Sequence, residues 1–375
     1  MKVISLFSNI GIAETYLQDI GFKVLLANDI CERRINLFSK FYPETNSLCG
    51  DFSDPGFFKT VVSCSKDIKP DIVIATPPCQ GMSTAGEQKK HDFRNNLTVN
   101  FVEYIKAVKP KYIFFENVPL FMKTKILVRN KEVFLKDYLI HQLNPNYKIN
   151  AEIVDMSKHD VPQKRVRAIF LMTRKDVNRD WALPKESESI QTLEETIGFL
   201  PPLDPWIKDA SKKENLQFFP RFEEKRQKGL EYSQWHIPPQ HLKRHIIAMM
   251  HTPTGKTAFE NKKYKPKKAN GDIVRGYKNT YKRQSWDKPG YTITMDNVKV
   301  SSQENVHPGR YLNTDKQGIK TYSDPRVLSL YELMLVSTLP QNWAVPSETS
   351  APFLRRLIGE GIPPLFVKNI FKQLL

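Results

Sequence analysis

Cysteine is scarce in this 375-residue chain: four occur, Cys31, Cys49, Cys64 and Cys79. None belongs to a Cys-x-x-Cys pair, which argues against a disulfide framework or a zinc ribbon, and no metal site is expected. In a reducing compartment most of them serve as small apolar core residues, and at most one needs a chemical role. Long hydrophobic runs are missing too. No segment approaches the roughly 18 apolar residues that a membrane span requires. The opening MKVISLFSNIG breaks its apolar run with Ser and Asn, so it reads as a buried first strand, not a secretion signal, and a cytoplasmic location is expected.

What is plentiful is positive charge. Lys and Arg number 57 against 40 Asp and Glu, a net +17. Between Trp206 and Gly290 there are 20 basic and 8 acidic residues, so a surplus of 12 sits in less than a quarter of the chain. A solvated basic surface would look like this, and so would a phosphate-contacting face, on which Lys and Arg displace the counterions of a polyanion. Charge alone does not separate nucleic acid from an anionic membrane surface.

The first 175 residues alternate in the manner of a doubly wound α/β domain. Short apolar runs at 2–7, 23–27, 71–75, 112–116 and 168–172 predict buried strands. Helical stretches are expected at 12–19, 33–41, 96–108 and 132–143. Unalternating strands suit a parallel sheet covered on both faces. Ligands of such sheets bind beyond the carboxyl ends of the strands, so the residues that follow each strand are the ones to inspect. Prolines at 184, 201, 202 and 205 mark a change of texture. Beyond them come hairpin signals at Asn270-Gly271 and Pro289-Gly290. The Lys-rich run at 262–268 imitates a nuclear-localisation signal but fits a phosphate-touching loop. Helices are expected again at 328–337 and 364–375.

Several strand ends carry chemistry-bearing residues. Phe7-Ser8-Asn9-Ile10-Gly11 forms a turn whose backbone amides suit an anion or a carboxylate. Asp29 follows the second strand and can accept both hydroxyls of a ribose or cap a helix. Gly50-Asp51 offers another cap or a contact to an adenine amino group. The strand at 71–75 runs into Thr76-Pro77-Pro78-Cys79-Gln80-Gly81-Met82-Ser83. A structural cysteine belongs in a strand or on a helix face; on a rigid polar loop Cys79 suits thiolate chemistry. Glu116-Asn117-Val118 ends the next strand, where Glu116 is either a turn cap or an acid whose pKa burial raises. In Gln163-Lys164-Arg165-Val166-Arg167, alternation sends both arginines to one side, toward a shared site or toward solvent.

The order of these pieces resembles the cytosine-5 DNA methyltransferase family. The resemblance extends to Trp286-Asp287-Lys288-Pro289-Gly290-Tyr291-Thr292, to His307-Pro308, to Arg326-Val327-Leu328-Ser329-Leu330-Tyr331-Glu332, and to Gly359-Glu360-Gly361-Ile362-Pro363-Pro364. It spans nearly all the chain except roughly 185–285, where the family places its variable target-recognition domain and where the basic surplus lies. The resemblance implies a Rossmann-like α/β catalytic domain over residues 1–183, a smaller, mostly β or irregular target-recognition domain with hinge over 184–338, and a C-terminal segment, 339–375, returning to the catalytic domain.

It also implies S-adenosyl-L-methionine as cofactor and double-stranded DNA as partner. Phe7, Ser8 and Gly11 would cradle the methionine part and Asp29 the ribose. Ile30 and Phe52 would flank the adenine, Asp51 would hydrogen-bond it, and Pro78 and Leu97 would line the same pocket. Cys79 would attack carbon 6 of a flipped cytosine, Glu116 would protonate N3, and Arg167, supported by Arg165, would hold the O2 side. A monomer near the nucleoid of a prokaryote, paired with a restriction endonuclease, is the expected setting. The pattern is broken in places: Asn9 stands where Gly is usual, Ile12 follows Gly11, and Glu360 stands where Asn is usual. A carboxylate at 360 would either repel the cofactor's carboxylate or point outward. The tRNA-methylating branch carries a Cys-Phe-Thr stretch in its recognition region, which is missing here. A silent DNA-binding relative would lack Cys79, Glu116 or Arg167. A nicotinamide dehydrogenase would need a G-x-G-x-x-G turn that the chain does not have.

Overall fold

A computed structural model describes residues 1–78, 97–128 and 131–375; Cys79 and its loop lie outside the described residues. The chain opens with β1 (Lys2–Leu6), β2 (Lys23–Asp29), α1 (Glu32–Phe41), β3 (Asn46–Cys49), α2 (Pro55–Ile68), β4 (Ile72–Ala75), α3 (Leu97–Val108) and β5 (Tyr112–Asn117). An antiparallel pair, β6 (Lys125–Val128) and β7 (Lys131–Phe134), precedes α4 (Leu135–Leu143), β8 (Tyr147–Asp155) and β9 (Val166–Arg174). Seven of these strands form one sheet in the order β3-β2-β1-β4-β5-β9-β8. The strands from β1 to β5 run parallel, and β9 runs against both β5 and β8.

The strand period of two builds the layers. Ile72, Ile74, Tyr112, Phe114, Ile169 and Leu171 face one core with Phe38 of α1; Val73, Ala75, Ile113, Phe115, Ala168 and Phe170 face the other with Val61 of α2 and Phe101 of α3. Fully buried Trp181 donates its indole N–H to the Ile370 carbonyl at 3.0 Å and packs edge-on against Phe371. In this way α11 (Pro364–Lys372) closes the first face.

Between these parts lie α5 (Leu193–Ile197), β10 (Trp206–Ile207), α6 (Lys212–Phe218), α7 (Phe222–Tyr232), β11 (Gln240–His241), α8 (Lys243–Met250), β12 (Tyr311–Thr314) and β13 (Lys320–Tyr322), followed by α9 (Leu330–Val336) and α10 (Ala351–Glu360). With little regular structure here, buried cations do part of the organising. Arg283 donates to the carbonyls of Met249, His307, Ser323 and Asp324, at 2.8–3.0 Å for the shortest contact to each. Gly309 is forced by this group: its φ is +66°, and a Cβ would lie 2.1 Å from Arg283 Nη1.

Two expected helices change. Residues 12–19 form turns ending in a 3-10 helix at Gln18–Ile20, held by i to i+3 bonds such as Leu17 N–H to Glu14 O at 2.9 Å. The Gly11 carbonyl there accepts from the Tyr42 hydroxyl at 2.5 Å. The stretch at 132–143 becomes helical only at Leu135, because Lys131–Phe134 pairs with β6. Asn270-Gly271 makes the expected tight turn, with Gly271 at φ 90° and Lys268 N–H donating to Asp272 O at 2.8 Å. Pro289-Gly290 is not a hairpin. Gly290 is bridged in parallel to Gln163, where a Cβ would approach Val336 Cγ1 to 2.9 Å.

Candidate active site

The sheet order reverses between β1 and β4, and the switch point at their carboxyl ends is the usual ligand position in such folds. Thr76 ties its two sides together by donating from Oγ1 to the Phe7 carbonyl at 3.1 Å. On the β1 side, Phe7, Asn9 and Gly11 have φ values of 59°, 53° and 83°. Asn tolerates that region, so the turn survives without the usual glycine. Asn28 holds the turn by accepting Phe7 N–H at Oδ1 (3.2 Å) and Ser8 N–H at its carbonyl (2.8 Å).

Asp29, at the end of β2, accepts Asn9 N–H at Oδ2 (3.1 Å) and Cys31 N–H at Oδ1 (2.9 Å). Burial pushes its carboxyl above the ordinary range, against those amides and the Arg34 charge. Ile30 is 65% exposed, an apolar platform beside that acid. Phe52 is buried and packs edge-on against Phe7 at 5.2 Å, so it supports the turn as well as the rim. Asp51 Oδ1 accepts from Ser53 N–H at 2.8 Å and Ser53 Oγ at 2.7 Å. Leu97 begins α3 and packs against the same core as Phe52.

The other side carries an acid. Glu116 lies on β5 opposite Ile169, and the reversed direction of β9 brings the start of that strand alongside the carboxyl end of β5. Arg167 Nε therefore sits 2.8 Å from Glu116 Oε1. Burial raises the Glu116 pKa and outweighs the opposing charges of Arg167 and Arg165. Arg165 is buried; it donates from Nη1 to Ile293 O at 3.0 Å and from Nη2 to the carbonyls of Gly359 (3.2 Å) and Glu360 (3.3 Å). It thus ties the base of the site to the later segments while adding positive potential at Glu116. Neighbouring Asn117 was not assigned a role from sequence. Its Nδ2 donates to the Pro77 carbonyl at 3.2 Å, fixing the Pro77-Pro78 approach to position 79.

Glu360 does not stand alone. Its Oε2 lies 2.6 Å from Arg34 Nη2, and its Oε1 lies 3.3 Å from Arg356 Nε. Arg34 is a residue that sequence reasoning missed; its only signal is its place one turn into the helix after Asp29.

The doubly wound sheet with one reversed strand is shared with solved methyltransferase structures. A structure described as a putative DNA modification methyltransferase encoded within an Escherichia coli prophage matches with a TM-score of 0.65 at 18% identity, covering 100% of this chain and 98% of that one. The DNMT2 of Spodoptera frugiperda matches at 0.61 and 16% identity, covering 100% and 99%. At such identities the likeness concerns the fold.

Sequence narrows the class. The family model described as C-5 cytosine-specific DNA methylase matches residues 1–375. The Type II methyltransferase M1.HgaI of Avibacterium volantium is 38% identical over 99% of this chain and 97% of its own length. The Type II methyltransferase M.DdeI of Desulfomicrobium norvegicum is 30% identical over 65% of this chain and 59% of its own. The chain belongs to the C-5 cytosine-specific DNA methylases. Among the described residues no helix is long and apolar enough to cross a membrane, and no group of three His, Cys, Asp or Glu is placed to hold a metal ion.

Proposed function

We propose that this enzyme transfers a methyl group from S-adenosylmethionine to carbon 5 of a cytosine flipped out of duplex DNA, through a covalent bond from Cys79 to carbon 6. The observation that carries the reading is the largely shielded Glu116–Arg167 pair at 2.8 Å across the adjacent strands β5 and β9, with Asn117 of β5 anchoring the Pro77 carbonyl. A carboxyl whose hold on a proton is strengthened by burial, beside a guanidinium, suits N3 and O2 of a cytosine ring. Cys79, which follows the two prolines in sequence, is the thiol proposed to attack that ring.

The β1 side fits the cofactor. Asn9 Oδ1 is buried with no hydrogen-bond partner among the described residues, an acceptor suited to an ammonium group. Asp29 suits a ribose diol, Ile30 and Phe52 suit an adenine, Asp51 suits its amino group, and Pro78 and Leu97 complete the wall. Ser8 and Gly11 shape the turn for the methionine moiety. When bound, the cofactor supplies an electrophilic methyl on a sulfonium.

Carbon 5 is a poor nucleophile until Cys79 thiolate adds at carbon 6 while Glu116 gives its proton to N3, leaving an enamine. Carbon 5 then takes the methyl. Loss of the carbon 5 proton to solvent, expulsion of the Cys79 thiolate and return of the N3 proton to Glu116 restore the neutral aromatic ring. Arg167 holds O2 throughout, with Arg165 in support. The ring edge is inaccessible in a stacked duplex, so the base is extruded. Residues 184–338 act as recognition domain and hinge, 1–183 as the catalytic part, and 339–375 as the returning segment. One clamp per target makes a monomer sufficient. The relatives named Type II methyltransferases support a restriction–modification role, with an endonuclease encoded nearby.

The test is incubation with a duplex in which 5-fluorocytosine replaces cytosine, together with labelled cofactor. A protein–DNA adduct that survives denaturation and is absent from Cys79→Ala is expected. Methylation at adenine N6 or cytosine N4 would overturn the reading.

A further inference from the structure

Two of the departures from the family pattern, Asn9 and Glu360, lie on one seam. Asn9 Nδ2 reaches the Leu357 carbonyl of α10 at 3.4 Å, and Glu360 ends the same helix. Across the seam stands Arg34 of α1. Its Nη2 is 2.6 Å from Glu360 Oε2, and its Nη1 is 3.9 Å from Asp29 Oδ2. The guanidinium therefore sits between two carboxylates, one expected to grip the cofactor ribose and one contributed by a helix more than 300 residues later in the chain. Both are mostly shielded from solvent, so the charges are weakly screened.

We infer that Arg34 is a positioning residue for the cofactor: it neutralises Glu360 and clamps α10 to the β2 end so that Asp29 faces the ribose as an ionised, correctly aimed acceptor. The inference rests on the reading that this site binds S-adenosylmethionine. It explains how a carboxylate is tolerated at position 360. Glu360 is held by Arg34 on one oxygen and Arg356 on the other, so it neither repels the cofactor's carboxylate nor drifts to solvent. Without Arg34, Asp29 loses the nearest opposing charge to its buried carboxyl and Glu360 becomes an under-compensated anion at the mouth of the site.

Calorimetric binding of S-adenosylhomocysteine to the full chain, without DNA or turnover, tests this. Arg34→Met should weaken binding about tenfold, roughly 1.4 kcal/mol, and Arg34→Lys should stay within about threefold because the charge remains. Glu360→Gln alone should change affinity less than about threefold. In Arg34→Met/Glu360→Gln the stranded anion is gone, so the double variant should bind more tightly than Arg34→Met, a non-additivity that separates coupling from two independent losses. Should Arg34→Met not yield folded protein, Glu360→Arg sets a like charge against Arg34 and should weaken binding about tenfold.

A merely structural role would lower the melting temperature and leave these affinities unmoved. Arg34→Met binding within twofold of the parent, additive effects in the double variant, or unchanged affinity in Glu360→Arg would each overturn the inference. If the parent itself fails to bind, the cofactor reading falls with it; if the parent binds and Arg34→Met binds equally, only the role of Arg34 falls.

Discussion

At the scale of single residues, burial decides which ionisable groups can do chemistry. Glu116 and Glu14 are both carboxyls raised by desolvation, but their surroundings differ. Glu116 faces arginines in the proposed site. Glu14 is enclosed beneath the first turn, where its Oε1 accepts from Ser5 Oγ at 2.5 Å and its Oε2 has no partner among the described residues. Its pKa is pushed up to about 7 from 4.5. The folded protein therefore holds a proton that the unfolded chain gives up above its own carboxyl pKa. The favourable contribution is complete below pH 4.5 and is lost as the pH rises through 7. The loss amounts to roughly 3 kcal/mol. Glu14→Gln should remove this dependence, so its stability relative to the parent in urea titrations should rise between pH 5 and pH 8. A constant difference across that range would show that Glu14 does not titrate in the window.

At the scale of elements, the sequence was most legible where burial was symmetrical. The strands β4 and β5 and the core of β9 are continuous apolar runs because both faces are covered, and each lies within two residues of its expected bounds. The strands β3 and β8 went unread. They are the outer strands, partly exposed, and Tyr147–Asp155 mixes polar and apolar residues as an edge allows. Helix α2 went unread although Asp54 and Pro55 mark its start, with Asp54 accepting Phe57 N–H at 2.7 Å. Among the proposed site residues, Asp29 and Glu116 were legible as candidates because they stand at strand ends, where ligands of such sheets bind. Arg34 and Asn117 could not, since their roles depend on partners brought close only by folding.

Helix α9 shows how such partners matter for stability. Ser329 and Glu332 form its capping box, and Glu332 also receives both Nη groups of fully buried Arg326, at 2.7 and 2.8 Å, while Asp324 accepts Nη2 at 2.7 Å. Arg326→Met would strand two buried carboxylates. A loss of about 3–5 kcal/mol in denaturant unfolding is expected; a loss below about 1 kcal/mol would mean that the network relaxes by protonation or water entry.

At the scale of the whole molecule, charge and connectivity both bear on function. Basic residues concentrate between 206 and 290, with Tyr277 82% exposed beside them. If this face grips a duplex, the logarithm of the binding constant should fall linearly with the logarithm of salt concentration, with a slope near −0.9 per phosphate neutralised. Neutralising Lys267 and Lys268 together should reduce that slope by about two without changing cofactor affinity; an unchanged slope would remove this face from the contact. Connectivity sets a different condition. Because Phe366, Val367, Ile370 and Phe371 roof the same sheet layer as Val3 and Ile72, and Arg165 is fastened to Gly359, this face of the sheet is covered only after α11 has been synthesised. A nascent chain stopped short of α11 would leave that oily sheet layer exposed to chaperones.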